Sequence, residues 1–204
     1  VVGSKLLYGD GTIQHAGLVF PRTGGTPYHL YQHLPGDCQA VSGRREFQCV
    51  TAACMLVRRE SFEEVGGFDE AYRNGFEDVD LCLRIREQGH RIVYQPRSVV
   101  IHLEEPTFRR KAHDEENTRL FLSRWEKHWW LVDEDLYYHA DGYKMVGGEA
   151  TANDAGHVRM IENIKDRAAW AHVAAAQSAA QKRDWGGIKR ELSLAQDWPN
   201  DPSV

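Results

Sequence analysis

The 204-residue chain contains no apolar run approaching the roughly 20 residues needed to cross a bilayer, which excludes a spanning helix. It has no excess of positive charge either. Thirty acidic residues against 25 basic ones give a formal net charge of −5, and pairs such as Arg44-Arg45 and Arg58-Arg59 are scattered rather than pooled. A nucleic-acid partner is therefore not expected. Cysteine is scarce: Cys38, Cys49, Cys54 and Cys82 include no Cys-x-x-Cys pair, which argues against a zinc site, and they are expected to be free thiols in a reducing cytoplasm. The chain opens on Val1-Val2-Gly3 without an initiator methionine, basic leader or cleavage site, and is expected to be a piece of a longer protein.

What is present reads as an α/β domain followed by a helical extension. The opening Val1-Val2-Gly3-Ser4-Lys5-Leu6-Leu7-Tyr8 reads as a turn followed by a short strand, and Gly9-Asp10-Gly11 as a turn. Residues 21–45, rich in proline and glycine and without periodicity, read as a long loop of the kind that often carries function. Phe47 to Val57 is apolar enough for a buried strand, and a short helix with Phe62 and Val65 facing inward stops at Gly66-Gly67. From Gly75 to Gly89, Leu81 and Ile85 recur at helical spacing, Asp80 and Arg84 form an i, i+4 pair, acidic residues open the segment and Gly89 closes it. Strands are expected at Arg91–Tyr94 and, after Pro96, at Val99–Leu103, then a helix over about Glu115–Trp130. The domain is expected to span 1–145, with a linker at 146–165. Over 166–204, Trp170, Ala174, Asp184-Trp185, Leu192, Ala195 and Pro199 follow the pattern of one tetratricopeptide-like helical hairpin. A hairpin of that kind cannot bury its core alone and is a candidate docking element for a protein partner.

Glu77-Asp78 is the leading chemical candidate. A carboxylate at a helix N-terminus is favoured by the dipole and can accept a proton from an attacking hydroxyl. Acidic residues also favour first turns for purely structural reasons, so position alone leaves both readings open. His102, at the end of an apolar strand, could bind a divalent cation or fix a phosphate, though taken alone it reads rather as a core or rim histidine. His15 is read as structural.

The run Val50-Thr51-Ala52-Ala53-Cys54-Met55-Leu56-Val57-Arg58-Arg59, then Val65-Gly66-Gly67-Phe68-Asp69-Glu70 and Glu77-Asp78-Val79-Asp80-Leu81-Cys82-Leu83-Arg84, closely resembles the family 2 glycosyltransferases. So do Asp10-Gly11-Thr12-Ile13-Gln14-His15-Ala16-Gly17 upstream and Asn117, Phe121 and Arg124-Trp125 downstream, so the likeness covers residues 1–130. The resemblance implies the C-terminal portion of a GT-A, nucleotide-diphospho-sugar transferase fold and an inverting hexosyl or deoxyhexosyl transfer. The donor would be a nucleotide-sugar and the acceptor a glycan, lipid-linked or cell-surface hydroxyl. It implies Asp78 as the general base, Glu77 as a group that holds the acceptor or shapes the base, and Thr51, Ala52 and Ala53 as the cleft lining. It also implies His102 as a ligand of a divalent metal, manganese or magnesium, and a cytoplasmic enzyme working in solution or at the membrane surface.

Two departures qualify the likeness. The family's Asp-x-Asp motif and first nucleotide-binding units are expected before residue 1, so the piece is expected to be inactive alone. The Gln-x-x-Arg-Trp signature of processive synthases is broken here, where Phe121 stands at the glutamine position. The competing class is a non-catalytic binding or assembly module derived from such an enzyme. A hydrolase is disfavoured because no motif places a second carboxylate.

Overall fold

The computed structural model describes residues 1–22, 24–103 and 113–143. The expected linker at 146–165 and tetratricopeptide-like hairpin at 166–204 lie outside the described residues.

The first strand, β1 (Val2–Leu7), sits at the centre of a five-stranded mixed sheet. It runs parallel to β7 (Ile92–Ile101), pairing Val2 with Val93 and Leu7 with Ile101. On its other side it pairs antiparallel with β2 (Ile13–His15) and β6 (Met55–Leu56), while β5 (Arg45–Phe47) lies antiparallel on β7. A parallel pair needs a long crossover, and here 84 residues, including both α1 (Arg59–Glu64) and α2 (Glu77–Glu87), run between β1 and β7. A small second ribbon pairs β3 (Leu18–Val19) with β4 (Tyr28–His29). The chain is thus mixed α/β, as expected.

Four sequence expectations need correction. The buried strand expected over Phe47–Val57 is broken: a 3-10 turn at Ala52–Cys54 separates β5 from β6. Thr51 caps that turn by accepting the Ala53 N–H, and Ala52 donates outward to Asp78, so the backbone is diverted from sheet pairing. The two strands expected around Pro96 are one, because the register with β1 jumps from Gln95 to Val99 and takes up Pro96, Arg97 and Ser98 as an irregularity. In α1 it is Ser61 that is buried, while Phe62 and Val65 are only half-buried. The helix expected over about Glu115–Trp130 is α3 (Asp114–Trp125), five residues shorter at its end. The 21–45 segment is largely loop, tied down by Ile13 N–H to Leu34 O and by His33 N–H to Ile13 O, both at 2.8 Å.

Residues 1–20 and 25–127 form one compact unit. Its core gathers Leu6, Ile13, Phe47, Val50, Leu81, Leu83, Ile85, Ile92, Tyr94 and Phe121. The α2 pattern of Leu81, Cys82 and Ile85 is buried as the spacing required. Among the described residues, 21, 22, 24 and 128–143 belong to a second unit, in which α4 (Glu134–Ala140) receives the Arg22 N–H on Glu134 Oε1 at 2.7 Å. None of the four cysteines forms a disulfide; Cys49 and Cys82 are buried and Cys54 partly so.

One glycine tests how tightly β5 is seated. Gly17 has φ of +113°, and a Cβ there would lie 2.5 Å from the ring of the buried Phe47. Gly17→Ala is expected to cost about 3 kcal/mol or more in urea unfolding, through overpacking and an unfavourable φ. Gly43→Ala, with nothing within 4 Å, should change stability little; equal effects of the two would contradict this packing.

Candidate active site

The site is assembled on the N-terminus of α2. Asn74 (φ 56°) and Phe76 (φ 69°) are both left-handed non-glycine residues, flanking Gly75. Each such residue costs about 1–3 kcal/mol unless its surroundings impose it, and such strain clusters at functional sites. Phe76 is the cap position of α2 and offers no side-chain oxygen. The open backbone groups are met instead by the acidic pair: Glu77 Oε2 accepts the Gly75 N–H at 2.5 Å, and Asp78 Oδ1 accepts the Val79 N–H at 2.8 Å.

Asp78 reaches across to the other candidates. Its Oδ2 accepts the Ala52 N–H at 2.8 Å, so the Thr51–Ala53 turn and the carboxylate come together. Each carboxylate oxygen therefore takes one backbone N–H and retains lone-pair capacity. Asp78 and Glu77 are both half-buried, which leaves them reachable from solvent.

Two further residues bear on the site, and the sequence had marked neither with a role there. His15 is fully buried, and its Nε2 accepts the Thr51 N–H at 3.4 Å. That fixes the proton on Nδ1, which faces His29 Nδ1 at 2.9 Å. Its neighbour Gln14 grips His102: Gln14 Nε2 donates to the His102 carbonyl at 3.3 Å, and Oε1 takes His102 Nδ1–H at 2.7 Å. The expected structural role of His15 is met, but what it supports is the turn that holds Asp78. Its adjacency to Gln14 in β2 was the available signal.

The fit of a divalent cation was tested on these groups. The Gln14 contact leaves the His102 Nε2 lone pair as the ligating side, which suits a single metal ligand. Asp78-Val79-Asp80 does not form a clamp. Asp80 is fully buried and accepts from Arg84 Nε (2.7 Å), Trp125 Nε1 (3.0 Å), Arg124 (3.3 Å) and Tyr72 OH (3.4 Å). The expected Asp80–Arg84 pair is present and is a structural node. Arg84 also donates to the carbonyls of Val65 and Gly67, closing the turn after α1. Burial and the adjoining Asp80 charge push the Tyr72 hydroxyl far above its ordinary range, so it remains a donor. Among the described residues, no three His, Cys, Asp or Glu side chains gather as a cation site.

Comparison with known proteins follows the same ground. Residues 26–120 match the family described as "Glycosyltransferase like family 2", so the chain carries a family 2-like glycosyltransferase segment. It is 36% identical over 143 residues to the O-antigen biosynthesis protein RfbC of Myxococcus xanthus, covering 68% of this chain and 11% of that protein. It is 36% identical over 139 residues to the uncharacterized protein y4gI of Sinorhizobium fredii, covering 62% of this chain and 15% of the relative. Over 87 residues it is 38% identical to an N-acetylglucosaminyl-diphospho-decaprenol L-rhamnosyltransferase of Mycobacterium tuberculosis, covering 40% of this chain and 28% of that enzyme. The chain thus spans only a small part of these relatives. No solved structure matches it significantly. No helix among the described residues is long and apolar enough to cross a membrane.

The buried imidazole gives a pH test. Burial, with His29 adding to it, holds His15 well below its ordinary 6.5. Below 6.5 the unfolded chain binds a proton at His15 that the folded chain does not. Its contribution is therefore complete above 6.5 and is lost as pH falls from there toward the depressed folded value. Stability should drop by about 1.4 kcal/mol per pH unit in that window. Urea unfolding from pH 7 down should show the slope, and His15→Gln should flatten it; a slope that the substitution leaves intact would assign it to other groups.

Proposed function

We propose that this chain supplies the acceptor and base side of an inverting glycosyl transfer from a nucleotide-sugar to a glycan or lipid-linked acceptor hydroxyl. The observation that carries the reading is the meeting of Asp78 with the Thr51–Ala53 turn through the 2.8 Å Ala52 contact, inside the family 2-like segment. The relatives' names give it direction, since one is an O-antigen biosynthesis protein and another transfers L-rhamnose to a diphospho-decaprenol acceptor. A hexosyl or deoxyhexosyl donor fits that company. The fold reading that goes with it is the C-terminal portion of a GT-A domain.

In this reading Asp78 takes the proton of the acceptor hydroxyl as its oxygen attacks the anomeric carbon. The bond to the nucleoside diphosphate breaks on the opposite face, and the product is inverted. One base suffices for a single displacement. The backbone N–H groups of Ala52 and Val79 hold the carboxylate still, so little reorganisation is needed when it accepts the proton. Glu77, tied back to Gly75, shapes the entry to the base, and Thr51, Ala52 and Ala53 line the cleft. A divalent ion, manganese or magnesium, would be held in part by His102 Nε2 and would neutralise the departing diphosphate when bound. The donor's nucleotide is expected to be bound with residues outside these 204, in keeping with the far greater length of the relatives. Work at a cytoplasmic membrane face suits a lipid-linked acceptor.

Calorimetric titration of nucleotide-sugars with manganese, into this chain and into a form extended on its N-terminal side, tests the reading. Binding is expected in the extended form. There Asp78→Asn should cut transfer by about 10²–10⁴-fold while leaving donor affinity unchanged. If neither form binds any donor, the enzyme reading falls and a binding or assembly module takes its place.

A further inference from the structure

We propose that Asn117 is a positioning residue for Asp78, acting through the strained loop ahead of α2. The helix α3 buries Asn117, Phe121 and Trp125, spaced four residues apart and so on one stripe. Each member of the stripe meets a successive part of the site segment. Asn117 Oδ1 accepts the Arg73 N–H at 3.0 Å, and its Nδ2 donates to the Arg73 carbonyl at 2.9 Å, so one side-chain amide satisfies both backbone groups of a single residue. Phe121 stacks on Phe76 with centroids 4.9 Å apart and planes 22° from parallel. Trp125 Nε1 donates to Asp80.

The geometry of the loop explains why such a grip matters. Left-handed Asn74 and Phe76 lie immediately after Arg73, and neither is the glycine that would adopt that φ without strain. Exposed Arg73 and Asn74 have no core packing to impose the conformation. Asn117 is 2% exposed, anchored in α3, and fixes the point from which the loop departs. A Cβ on Gly75 would already lie 3.3 Å from Asn117 Nδ2, so loop and amide are in close contact. Freed from Asn117, the segment Arg73–Phe76 can relax toward ordinary φ values. That turns the first residues of α2 and draws Asp78 Oδ2 away from the Ala52 N–H.

The consequence for transfer rests on the glycosyltransferase reading, but the positioning itself is measured without sugar. Amide hydrogen exchange of the labelled chain, followed by NMR, reports the Ala52 N–H directly. The His102 N–H, which donates to Leu7 O at 2.9 Å in the sheet, serves as the reference. Asn117→Ala is expected to speed exchange at Ala52 by about tenfold, the scale of one hydrogen bond, with His102 unchanged. Asn117→Asp keeps the acceptor for the Arg73 N–H but sets a buried carboxylate oxygen against the Arg73 carbonyl, and should loosen Ala52 at least as much. If neither variant folds, Asn117→Ser, too short to make both bonds, decides on the same comparison. Unchanged protection at Ala52, or equal loss at Ala52 and His102, would overturn the proposal, since Asn117 would then be idle or merely a general stabiliser. A loosened Ala52 in this chain, beside no transfer by the unsubstituted N-terminally extended form, would retire the enzyme reading and leave the positioning role standing.

Discussion

The Asp78 carboxylate is the pin on which the candidate site depends. It joins two pieces of chain, the first turn of a helix and a 3-10 turn that interrupts a would-be strand, beside the buried Cys82–Val50 and Cys49–Val79 contacts. A carboxylate that accepts two backbone N–H groups forms charge-assisted bonds, roughly twice as strong as neutral ones. The pin is short and half-buried, so it can organise the turn while remaining open to a substrate hydroxyl.

Around that pin the fold builds support from two directions. On one side β2 sends Gln14 to His102 and His15 to the Thr51 backbone. On the other side α3 grips the approach to α2 and secures Asp80, whose buried charge is met by Arg84, Arg124 and Trp125. A buried carboxylate left unpaired would be costly, often by about 3–5 kcal/mol. Of the acidic motif, Asp78 is half-exposed beside the 3-10 turn, while Asp80 is turned inward for structure.

Much of this was legible in the residues. The α2 helix, its Gly89 stop and the Asp80–Arg84 pair followed from periodicity and end rules, and the grouping of Asp78 with Thr51–Ala53 followed from the family resemblance. The broken strand at Ala52–Cys54 was not legible, because an apolar run looks the same whether its amides pair in a sheet or turn toward a distant carboxylate. Nor was the union of the strands on either side of Pro96, since the jump in register depends on the partner strand β1. The Asn117 grip on Arg73 spans 44 residues and leaves no local signature. His15 read as an ordinary core histidine, and burial alone would not have shown that its acceptor nitrogen meets the Thr51 amide.

One base and one displacement at Asp78 leave a direct mark on the stereochemistry of the product. Proton NMR of the first-formed glycoside, made by a form of the protein competent for transfer, gives the anomeric configuration. The account predicts a configuration opposite to that of the donor sugar. Retention would require a second nucleophilic step, which would contradict Asp78 as the single base.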